Sequence, residues 1–129
     1  LQFAAAQANP ADATTYYFGS TPSVAMGSTA ASQRVYIPKA GTITACYLFF
    51  NNNGTLGSSE TSTVSIRLNN TTDTTCNASV TNAAVGTAFS GTGLSISVAA
   101  GDYLEMKWVA PTWVTNPTNV RPTAVLYIQ

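Results

Sequence analysis

The chain has 129 residues, 45% of them apolar, with five Lys or Arg, five Asp or Glu and no His. That length suits one domain with its own core, and a formal net charge of zero excludes a general electrostatic grip on nucleic acid or anionic lipid. Without His there is no usual proton shuttle, no commonest zinc ligand and no His-containing nucleophilic triad; no apolar run nears the ~20 residues of a membrane-spanning helix.

Charged residues make up 8%, against about 25% in an ordinary domain. Thr, Ser, Asn and Ala fill the deficit, so hydroxyls and amides must wet the surface. A neutral surface gives little colloidal repulsion. Composition therefore favours a subunit that works assembled over a secreted monomer with a Thr/Asn exterior.

Residues 1–13 are Ala-rich and interrupted by Pro10, which predicts an extended arm or a short turn of helix. The remainder, 14–129, reads as one domain. Thr14–Phe18 is β-branched and aromatic and predicts a strand ending at Gly19. Ser20–Ser32 reads as a loop. Arg34–Pro38 predicts a short strand, and Pro38–Gly41 a tight turn.

Thr42–Phe50 predicts a long strand. Strict alternation puts Ile43, Ala45, Tyr47 and Phe49 on one face and Thr44, Cys46, Leu48 and Phe50 on the other. Both faces are largely apolar, which predicts cover on both sides. Asn51–Gly54 then breaks the strand.

Ser62–Asn69 alternates, with Val64, Ile66 and Leu68 inward and Ser65, Arg67 and Asn69 outward. Asn70–Asn77 reads as a polar connection, and Ala78–Phe89 as a short strand or an irregular crossing. Leu94, Ile96 and Val98 define another strand. Across the turn Ala99–Asp102, Tyr103–Val109 reads as its hairpin partner, with Trp108 in the core. Pro111–Pro122 is a long loop, and Thr123–Ile128 a closing strand. Many short strands with turn signals between them predict an all-β jelly-roll sandwich of two antiparallel sheets.

Cys46 lies in an apolar run and Cys76 in a Thr/Asn-rich stretch, so one disulfide and two free thiols are both open. The sequence indicates no acid–base pair, since alternation sets Asp102 and Glu105 on opposite faces. A calcium site at Asp73 lacks supporting carboxylates. Asn-x-Ser/Thr matches at Asn53, Asn69, Asn70 and Asn77 are expected by chance in so Asn- and Thr-rich a chain. No catalytic residue, metal or cofactor is therefore expected, nor is nucleic acid or membrane insertion. Trp113, beside Asn116 and Asn119 in a predicted loop, is a candidate ligand contact through ring stacking; the competing reading is a Trp that caps the sandwich.

Two pairs of segments resemble known arrangements. Val35–Ile43 with the aromatic Tyr47–Phe50, and Leu94–Leu104 with Ala124–Ile128, look like the jelly-roll heads of complement-type and tumour-necrosis-factor-like proteins. Gly54–Asn70 and Val98–Tyr103 resemble tailed-phage virion proteins, chiefly tail-fibre or head-fibre modules. The resemblance implies a non-enzymatic, homotrimeric module on the virion surface, outside the cell. Its partners would be other copies, other virion proteins and a host-surface glycan or protein.

The expected role is receptor binding at a fibre tip. Alternatives are a capsid decoration protein that clamps the head, suited by the arm, and a carbohydrate-binding module of a secreted protein. Candidate subunit-contact residues are Tyr47, Leu48, Phe49, Phe50, Val125 and Tyr127.

Overall fold

Alternating sequence patterns and Gly/Pro/Asn punctuation build nine strands in a computed structural model that describes residues 1–129. They are β1 (Gln2–Ala4), β2 (Thr15–Phe18), β3 (Val35–Tyr36), β4 (Gly41–Asn52), β5 (Ser62–Leu68), β6 (Thr72–Val80), β7 (Gly86–Val98), β8 (Tyr103–Val109) and β9 (Val120–Ile128). The only helical piece is a 3-10 turn over Ala30–Gln33.

One sheet has the order β1-β9-β4-β7 and the other β2-β8-β5-β6, with β3 paired to the far end of β8. Every strand pairing is antiparallel. Sequence neighbours mostly lie in opposite sheets, so the chain wraps between layers as a jelly roll does. The two inner faces close on one cluster of buried side chains. Trp108 is at its centre, with its ring 5.1 Å from Phe50, 5.8 Å from Tyr16 and 6.1 Å from Trp113. A buried indole N–H needs an acceptor. Trp108 Nε1 donates to Ser62 Oγ at 2.7 Å, and that hydroxyl donates on to the Val80 carbonyl.

Three expectations are corrected. Asn70–Asn77 is mostly not a connection, because Thr72–Val80 forms β6 and makes a hairpin with β5. Its β-branched Thr residues suit a pleated edge strand without supplying apolar alternation. Tyr103–Val109 is not the hairpin partner of Leu94–Val98. β7 pairs with β4 in one sheet and β8 with β5 in the other, so Ala99–Asp102 is a crossing between layers. Ile43 does not share a face with Tyr47: Ile43 pairs with Ile128 but Ala45 with Tyr127, leaving Thr44 as a β-bulge. One extra residue reverses the inside–outside sense of everything beyond it.

The arm is extended and stitched onto the domain. β1 pairs with β9, bridges follow at Ala6–Ala25 and Ala8–Val120, and Phe3 is fully buried in the core. Cys46 on β4 and Cys76 on β6 form a disulfide that ties the two sheets together. Gly91 on β7 faces the Cys76 carbonyl so closely that any side chain there would collide with it. The bond closes a 30-residue separation, which by loop-closure entropy corresponds to about 3–4 kcal/mol. Cys46→Ala with Cys76→Ala should lower unfolding free energy by that amount in urea titration, with the β circular-dichroism signature retained at low urea.

Candidate functional site

Beyond the bulge, β4 sends Cys46, Leu48 and Phe50 into the core and Tyr47 and Phe49 to the outer face. On β9, Ala124 and Leu126 go inward while Val125 and Tyr127 go outward. Register sets Tyr47 opposite Val125 and Ala45 opposite Tyr127. The outer face of the first sheet therefore carries Tyr47, Phe49, Val125 and Tyr127 together, exposed at 52%, 45%, 46% and 55%. Leu48 and Phe50, also expected as contact candidates, are spent on the chain's own core. Which face of this strand points outward is thereby decided.

The neighbours of this patch carry no charge. Ala88, Ser90 and Thr92 on β7 and Thr123 on β9 pair with β4 around it. Arg121 pairs with Asn51 at the end of the face and donates to Gln7. A fully buried aromatic hides about 150–250 Å², so the three rings and Val125 leave on the order of 300–400 Å² of apolar surface in water. That is at the size where an apolar patch marks an interaction site.

The opposite sheet is its electrostatic counterpart. Arg67, Asp73 and Lys107 lie on or beside its outer face. Arg67 makes a two-pronged bond to Asp73, at 2.8 and 3.0 Å, and Lys107 reaches the same carboxylate at 2.6 Å. Partial burial pushes Asp73 up, but hydrogen bonds from Lys107 and Arg67 outweigh it and hold the carboxyl below its ordinary value. Asp102 is also held down, by the Ala99 N–H and the Asn69 amide, as befits a turn residue. Glu60 is lowered by Ser58, by its own backbone N–H and by that of Val114.

Glu105 differs. It is 0% exposed, neither carboxylate oxygen has a hydrogen-bond partner, and Arg34 Nε stands 3.6 Å away. Burial pushes its carboxyl up, with Arg34 and Arg67 opposing. Alternation with Lys107 marks Glu105 as an outward residue, and nothing local in the sequence marks it as covered.

The loops Asn53–Thr61, Thr81–Val85 and Ala110–Asn119 gather at one end of the sandwich; both chain termini are at the other. The loop end is tightly cross-bonded. Asp12 Oδ1 accepts from the Trp113 N–H and the Asn116 side chain, and Asn9 accepts from the Asn119 N–H. Trp113 is buried against Trp108 and caps the core. It offers no exposed ring for stacking, whereas Asn116 is exposed and donates its side chain to Asp12, and Asn119 is held by its backbone N–H.

No protein-family profile matches the chain. No curated protein matches it closely enough to count as a relative.

The raised Glu105 gives a pH-dependent expectation. A carboxyl whose folded-state pKa exceeds its unfolded value costs stability when ionised, and that cost fades as pH falls through the folded value. Glu105→Gln should therefore raise the thermal midpoint at pH 7, and the gain should shrink towards zero on acidification. A constant gain across pH, measured by scanning calorimetry, would contradict an ionised buried carboxylate.

Proposed function

We propose that this chain is a non-enzymatic, homotrimeric surface module of a tailed-phage particle, carried at a fibre tip and used in attachment to the host. The observation that carries the reading is a charge-free patch on the outer face of the first sheet, where Tyr47, Phe49, Val125 and Tyr127 are half exposed together. At about 25 cal/mol per Å², covering each half-exposed ring returns about 2–3 kcal/mol. Because the patch lacks ions, copies can approach it without burying an unpaired charge.

The polarity of the module adds support. Both termini are at one end and the cross-bonded loops at the other. A fibre joined through either terminus would hold the loops away from it. A head-decoration role asks for an arm free to clamp neighbours, whereas residues 2–8 are bonded along β9 and the Ser20–Gly27 segment.

Native mass spectrometry of the wild-type chain should give three chain masses at micromolar concentration, and immunogold labelling should decorate fibre tips. Tyr47→Asp should give a folded monomer. Phe50→Asp should unfold the chain: losing the buried ring costs about 3–5 kcal/mol, and an unpaired buried charge adds to that. A wild-type monomer, or labelling spread over the shell, would contradict the proposal.

A further inference from the structure

Attachment requires a surface that recognises a ligand, and the outer face of the second sheet offers one away from the subunit patch. Tyr36 on β3 is the most exposed aromatic of the chain, at 61%. Its register partner is Tyr103 on β8, with ring centroids 5.7 Å apart. Arg34, two residues before Tyr36, lies with its guanidinium 4.2 Å from the centre of the Tyr103 ring. An aromatic face and a planar cation are thus held side by side.

The cation is engaged by the fold through its Nε side alone. Arg67 is fully engaged by Asp73 and Asn70, and Lys107 by Asp73. Arg34 makes no hydrogen bond to the protein. Its buried Nε is ion-paired with Glu105 at 3.6 Å, a contact longer than a hydrogen bond, and its terminal nitrogens have no protein partner. Stacking on Tyr103 fixes the guanidinium plane and lowers the ordering cost of binding. A guanidinium with free terminal N–H groups fits a carboxylate through two parallel bonds. An exposed Tyr face alongside it suits the C–H face of a sugar ring.

We propose that Arg34, Tyr36 and Tyr103 form a binding platform for an acidic saccharide, its carboxylate on Arg34 and its ring on Tyr36. This rests on the attachment reading above and names its ligand class. One surface pocket, beside the termini, is lined by Ile37–Ala40 and so begins next to Tyr36 in the chain; the other is beside Ala4–Gln7. A single flat platform binds weakly, and three copies on one particle would raise avidity without new contacts.

The probe is trigalacturonate, titrated into the full chain and followed by proton–nitrogen NMR. Saturable shifts should centre on the Arg34 side chain, Tyr36 and Tyr103. Arg34→Gln and Tyr36→Ala should each weaken binding about tenfold or more, equivalent to about 1.4 kcal/mol. Arg34→Lys should also weaken it, since charge without the planar fork is not equivalent. Maltotriose and acetate should not compete.

Absence of saturable shifts, shifts centred elsewhere, equal binding of maltotriose or acetate, or unchanged affinity in the folded variants would each overturn the platform. Native mass on the same samples separates the two proposals. A trimer that ignores trigalacturonate overturns the platform alone, and a monomer that binds it overturns the assembly alone.

Discussion

One bulged residue sets the character of this molecule. Thr44 is the extra residue of β4 against β9. With it, Ile43 packs inward, and four positions later Tyr47 faces outward. Without it, the period-two rule would turn Tyr47 and Phe49 into the sandwich and Cys46, Leu48 and Phe50 to solvent. The disulfide to Cys76 and the Phe50–Trp108 contact both require the observed sense. So does the apolar patch. Core, cross-link and exposed surface are three outcomes of one register choice.

That choice also separates the two sheets chemically. The first presents uncharged aromatic and aliphatic groups outward. The second carries Arg67, Asp73 and Lys107 in one ion-pair network, with Arg34 and Glu105 close by. With ten formal charges in the whole chain, this concentration leaves Arg121, at the loop end of β9, as the one charged side chain in the strands of the first sheet. Exposed ion pairs add little stability, so their effect here is on where the surface stays wet. The sheet that stays wet is also the one with the Arg34 guanidinium, ion-paired to Glu105 alone, over Tyr103 and beside the exposed Tyr36.

The strands that alternate were legible in the sequence. Val64, Ile66, Leu104 and Met106 are buried as alternation requires, and Trp108 is buried as expected, whereas Ser65 and Glu105 are covered although alternation sets them outward. β6 was not legible, because an edge strand of Thr, Asp, Asn and Ser shows no apolar period. Nor was the bulge, since it depends on how β9 and β7 pair with β4 and not on any local residue signal. The two apolar faces of Thr42–Phe50 were legible, but their assignment to core and surface was not. The fate of Trp113 turns on Asp12, 101 positions away in the chain. The same holds for Arg34 and Glu105, which meet only once β3 and β8 pair.

In the proposed assembly the Tyr47, Phe49, Val125 and Tyr127 patch of the first sheet is covered, while Tyr36 on β3 stays open. Tyrosine iodination tests it directly, because Tyr36, Tyr47 and Tyr127 have similar exposures in the single chain, at 61%, 52% and 55%. In the native protein at micromolar concentration, Tyr36 should iodinate readily, whereas Tyr47 and Tyr127 should be protected and become reactive together on dilution. Equal reactivity of all three tyrosines at every concentration would contradict the account.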